Sequence, residues 1–114
     1  MGGGPGRVVG RVIALVVGPA AVADLTEIHA HYDTVEDGLG GRFVGALDEL
    51  FARLATFPRS AALVAGYLDV RRAVVRGFPY VVFYRHRPDR IDVLRVLHAA
   101  REDADRPHPD EPSR

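Results

Sequence analysis

Nine arginines fall between Arg59 and Arg101, against three aspartates, and no other part of the chain carries so much charge of one sign. Most of them lie in the stretch RRAVVRGFPYVVFYRHRPDRIDVLRVLHAAR, residues 71–101. There three apolar runs, each able to form a strand, are separated by Gly77–Pro79 and Pro88–Asp89. Alternate residues of an extended segment share a face. Arg72, Val74 and Arg76 should therefore point one way and Arg71, Ala73 and Val75 the other, while Arg95 should lie with Ile91 and Val93, opposite Leu94, Val96 and His98. Arg71, Arg72, Arg76, Arg85 and Arg95 on neighbouring strands build a positive surface suited to phosphates or to an acidic protein segment. The other account of the same residues is a solvated sheet face balanced by local acids.

His98 ends the last run, close to Arg101. A histidine there can act as general acid or base or contact a phosphate; equally, its ring can bond the neighbouring backbone and fix the strand end. Tyr80 and Tyr84 share a strand face and could stack bases or anchor a partner, although aromatic residues on a central strand usually belong to the core, as Phe83 should. No metal site or cofactor is expected. His29 and His31 are two apart on a helical pattern, and metal pairs on a helix need three or four. The glycines at 38, 40 and 41 lack the Lys and Ser/Thr of a phosphate loop, and no Gly-x-Ser-x-Gly elbow occurs.

These groups need a scaffold. Arg11 to Val17 reads as a first strand, ended by Gly18–Pro19, where proline suits the first position of a helix. A helix over 19–35 carries the stripe Val22, Leu25, Ile28 or His29, and Tyr32, with Asp24, Glu27 and His31 largely away from it. The stretch EDGLGG is a turn, and a second helix from about Leu39 or Gly41 to Thr56 carries Phe43, Leu47, Leu50, Phe51 and Leu54, closed by Phe57–Pro58. Residues 59–66 read as a short helical turn or an irregular connection. Strands follow over about 69–75, 80–85 and 90–97, with links short enough to make neighbours antiparallel. After His98, AAREDA reads as one helical turn. The order strand-helix-helix-strand-strand-strand predicts a two-layer α+β domain, with the helix hairpin packed on one face of a mainly antiparallel sheet. The other face, or one end, is left available.

At 114 residues with 47% apolar, the chain is one small domain. Residues 1–10 read as a flexible glycine-rich leader, 11–102 as the folded domain and 103–114 as a disordered, acidic, proline-rich tail. There is no cysteine for a disulfide or thiolate site. The apolar run Val12–Val17 is far short of the roughly 20 residues of a membrane span, so a cytoplasmic protein is expected. Net charge is zero but uneven: −3 over 1–58, +6 over 59–101 and −3 over 102–114.

In order and spacing these pieces resemble the RelE/ParE superfamily of bacterial type II toxin–antitoxin toxins. The resemblance runs from about Val12 to Glu102. It is carried by Pro19, Ala20, Ala23, Asp24 and Leu25 at the first helix, by Phe43, Leu47 and Pro58 in the second, by Arg71 and Arg72, by Phe78-Pro79-Tyr80 with Tyr84-Arg85, and by the ending Ile91, Val93, Leu94, Val96, His98 and Arg101. The family ending often reads Arg-Asp; here it is Arg101-Glu102.

The resemblance implies a growth-inhibiting toxin held in a hetero-oligomer by a cognate antitoxin, whose acidic segment could lie across Arg71, Arg72 and Arg85. It also implies one of two targets. RelE-like members cleave mRNA in the ribosome, and ParE-like members poison DNA gyrase without being nucleases. For cleavage, Arg72, Arg85, His98 and Arg101 are the catalytic candidates, with Arg76 and Arg95 as further basic groups. For partner or nucleic-acid binding, the candidates are Arg71, Arg72, Arg76, Tyr80, Arg85 and Arg95. Phe78-Pro79-Tyr80, the absence of lysine and the lack of a tyrosine after the last strand fit the ParE-like side better. An inactive relative that serves only to bind antitoxin or to autoregulate is the remaining alternative.

Overall fold

The computed structural model describes residues 13–101. The expected leader, the whole of the expected tail, and the start of the expected first strand lie outside them. Strand β1 (Ala14–Val17) ends at Gly18, and Pro19 opens helix α1 (Pro19–Val35), where its missing N–H has no intrahelical partner to lose. Helix α2 (Leu39–Thr56) begins after Gly38, whose φ of 84° lies in the left-handed region that a side chain would strain. Then come β2 (Ala62–Leu63), β3 (Val70–Val74), β4 (Tyr80–Arg87) and β5 (Arg90–His98), followed by a 3-10 turn over Ala99–Arg101. The sheet order is β1-β5-β4-β3-β2, with β1 parallel to β5 and every other pair antiparallel.

The architecture is the expected two-layer α+β arrangement, and both helices occupy the expected spans. The connection over 59–66 is neither a helical turn nor irregular throughout: it holds β2, which pairs Ala62 with Arg72 and Leu63 with Arg71. A two-residue strand has no periodicity to reveal it. What holds this segment comes from elsewhere in the chain. Arg71 Nη1 donates to the carbonyls of Arg59 (3.3 Å) and Ala61 (2.7 Å), and the Tyr84 hydroxyl donates to the Pro58 carbonyl (2.8 Å).

Along α2, Phe43, Leu47, Leu50 and Leu54 are buried at the spacing of one helical face. On α1 the inward row is Ala21, Leu25, Ile28 and Tyr32. Val22, expected in that row, is 49% exposed. Ala21 takes its place, and its small side chain lets the start of the helix lie close against the sheet. Ala73, Val75, Val82, Tyr84, Ile91, Val93 and Val96 complete this core from the sheet side. The opposite face has an apolar cluster of its own, made of Val64, Val70, Val81, Phe83 and Leu97 with Tyr67 and Leu94 against them.

A β-bulge explains how β5 serves both faces. Phe83 pairs with Arg95 but Tyr84 pairs with Val93, which leaves Leu94 as an extra residue. Beyond it the alternation slips, so that Val93 and Val96 both enter the helix-side core while Leu94 and Leu97 both join the other cluster. The expected rows, with Arg95 beside Ile91 and Val93 and Leu94 beside Val96 and His98, are corrected accordingly. Among the described residues no helix is long and apolar enough to cross a membrane.

Candidate functional site

The site is built where β5 outruns its neighbour. β1 ends at Val17, opposite Val93. The Gly18 N–H donates to the Val93 carbonyl at 3.0 Å, the last main-chain bond on that side. Beyond it, a side chain from α1 replaces the missing strand. Asp24 Oδ2 accepts the Val96 N–H (2.9 Å) and Arg95 Nε (2.8 Å), and Oδ1 accepts Arg95 Nη2 (3.0 Å). This two-pronged, charge-assisted contact joins residues 71 positions apart, with the Asp24 side chain only 14% exposed.

The Asp24–Arg95 clamp forms one wall of a cleft of about 220 Å³ between α1 and the end of the sheet. Asp24, Glu27 and His31 line it from the helix, and Tyr80, Arg95, His98 and Arg101 from the sheet and the turn after it. Tyr80 and His98 are cross-strand partners, with ring centroids 5.2 Å apart in an edge-to-face arrangement. Tyr80 also meets the rings of Tyr32 and Phe43 edge-on, an arrangement aromatic quadrupoles favour. Burial raises the Tyr80 phenol above its usual value of 10.0, with Arg101 opposing part of the effect. At neutral pH Tyr80 is therefore a hydrogen-bond donor as well as an acceptor.

His98 Nδ1 accepts the Ala100 N–H at 3.0 Å. A neutral imidazole has one acceptor nitrogen and one N–H, so the neutral ring places its proton on Nε2. The ring thus makes a bond to the neighbouring backbone at the strand end. Towards a ligand, the ring presents a donor rather than a free basic nitrogen.

The remaining expected residues are dispersed. Arg85 lies towards the other end of β4, about 16 Å along the strand from Tyr80 at the usual rise, and its Nε donates to the Leu68 carbonyl (3.1 Å). Arg71 is committed to the carbonyls of Arg59 and Ala61. Arg72 pairs with Phe83 and Ala62 in the middle of the sheet, and Arg76 is exposed between β3 and β4. Of the four nuclease candidates, only His98 and Arg101 line the cleft. Glu27 and His31 were not among the candidates, although Asp24, Glu27 and His31 stand at i, i+3 and i+7 on one polar helix face. That spacing was the signal available for them.

The helix hairpin on a mixed five-stranded sheet is the α+β arrangement expected from the resemblance to the RelE/ParE superfamily. Residues 15–103 match the family profile described as "ParE toxin of type II toxin-antitoxin system, parDE", and the chain belongs to this family. No curated protein matches the chain in sequence. Among solved structures, it is similar to one titled "Chromosomal ParDE TA system from P. aeruginosa", with a TM-score of 0.66 and 21% identity over 76% of this chain and 96% of that one. At that identity the likeness speaks for the fold.

Proposed function

We propose that this toxin arrests growth by poisoning DNA gyrase in the cytoplasm, and that a cognate antitoxin neutralises it by binding. The observation that carries the choice of target is the state of His98. With Nδ1 occupied by the Ala100 N–H, the neutral ring has no free nitrogen to take a proton from a ribose hydroxyl. The other groups an RNA-cleaving centre would use support the same reading. Arg85 is remote from the cleft and bound to a main-chain carbonyl, and Arg95 is bound to Asp24. Phe78-Pro79 occupies a place where several nucleases of the superfamily put a basic residue.

The antitoxin reading follows from family membership and from the basic middle of the chain, which an acidic segment complements. Induced expression with and without the adjacent small gene tests the class: growth stops without it and resumes with it. Mapping mRNA ends in the arrested cells then separates the targets. The proposal expects no new ribosome-dependent ends and expects DNA breaks that need gyrase. Fresh mRNA ends that vanish in Arg72→Ala or His98→Ala would instead establish the nuclease reading.

A further inference from the structure

At the end of the sheet away from the Tyr80–His98 cleft, three adjoining hollows share one residue, His86 of β4. One hollow, of about 400 Å³, is lined by Arg59, Arg71 and Arg87 with Asp69. A second brings in Arg85, and the third, largely apolar, is walled by Phe57 and Pro58 beside Arg59. Arg71 is held through Nη1 by the carbonyls of Arg59 and Ala61, Arg85 through Nε by the Leu68 carbonyl, and Arg87 through Nε by Asp92. Each anchor fixes the guanidinium, and further N–H donors of the fork make no bond among the described residues. The Arg59 side chain makes no hydrogen bond or ion pair among the described residues. Beside it the Phe57 ring is 60% exposed at the close of α2, where an apolar side chain loses by facing water.

We propose that this end of the sheet is a binding site for a nucleic-acid strand, with backbone phosphates held by the Arg59, Arg71 and Arg87 guanidiniums and an unstacked base against the Phe57 ring. Fixed guanidiniums suit phosphate oxygens, and an exposed aromatic ring next to a cationic track is how single strands are held without sequence readout. An acidic peptide free of aromatic residues would use the arginines but offers no aromatic ring to stack on Phe57. The site is separate from the cleft that binds Asp24 to Arg95, and it stands whether or not gyrase is the target.

Fluorescence anisotropy of the full chain with a labelled 15-nucleotide single strand tests the proposal, with DNA and RNA strands as separate arms to distinguish the source of the phosphates. Binding should weaken with salt by a log–log slope of about −0.7 per phosphate contacted, and Arg59→Glu should remove about one contact from that slope. Phe57→Ala should weaken binding about tenfold while leaving the slope unchanged, since stacking is not a counterion effect. Arg42→Glu, the same charge change on an exposed part of α2, should stay within about twofold of wild type if local contacts rather than overall charge hold the strand. The proposal is overturned if the wild type binds neither strand at low salt. It is also overturned if Arg59→Glu and Arg42→Glu weaken binding alike, or if an acidic peptide free of aromatic residues competes as well as an unlabelled strand does.

Discussion

Replacing Asp24 by alanine should destabilise the fold out of proportion to the size of the side chain. Its carboxylate accepts three hydrogen bonds of 2.8–3.0 Å, two from the Arg95 guanidinium and one from the Val96 N–H. Exposed ion pairs contribute about 0–1 kcal/mol, whereas breaking a buried pair costs about 3–5 kcal/mol. With side chains 14% and 33% exposed, this pair lies between those limits. The main-chain donor of Val96, left without its acceptor, adds to the loss. We expect Asp24→Ala to cost about 2–3 kcal/mol. For a domain of this size that lowers Tm by about 10–20 °C. Asp24→Asn, which keeps an acceptor for Val96 but loses the ionic contact, should cost about half as much. Thermal and urea unfolding followed by circular dichroism would measure both, and a double-mutant cycle with Arg95→Ala should give a coupling of about 1–2 kcal/mol. An Asp24→Ala variant within about 0.5 kcal/mol of wild type, or a coupling indistinguishable from zero, would refute the reasoning. The open edge of β5 would then owe nothing to the helix.

Further outcomes follow from other contacts. Tyr84→Phe removes the bond to the Pro58 carbonyl and should cost about 1 kcal/mol in urea unfolding, with faster amide exchange over residues 59–63. Bonds from Arg90 and then Arg87 hold the Asp92 carboxyl below its ordinary 3.8. Its contribution is therefore complete above that value and is lost as pH falls through the lower folded-state pKa. Asp92→Asn should be less stable than wild type at pH 7, and the difference should shrink in acid unfolding curves. Burial raises the phenols of Tyr32, Tyr80 and Tyr84 above 10.0. Stability from keeping them neutral is present below pH 10 and lost above it, so an ultraviolet titration should show these tyrosines ionising later in the folded protein than in urea.

Much of the scaffold is legible in the chain because local chemistry marks it. Gly18–Pro19 and Phe57–Pro58 bracket the two helices, and Gly77–Pro79 and Pro88–Asp89 separate β3, β4 and β5. What stays hidden depends on contacts across the fold. The two-residue β2 exists because Arg71 and Tyr84 hold the segment before it. The bulge at Leu94 is a property of the pairing between β4 and β5, not of either run alone. The arginines show the same division. Their concentration is visible in the sequence, but their roles are assigned by partners elsewhere in the chain: Arg95 by Asp24, Arg85 by Leu68 and Arg71 by Arg59 and Ala61. The arginines of this stretch are thus divided between internal ties and the groups that remain for a ligand.

The most direct test of the proposed target uses purified toxin, purified gyrase and supercoiled plasmid. On protein denaturation after incubation, the account predicts linear DNA that accumulates only when toxin and gyrase are both present, with His98→Gln as active as wild type. Plasmid that stays intact under those conditions, together with message cut on ribosomes by the same preparation and spared by His98→Gln, would contradict it.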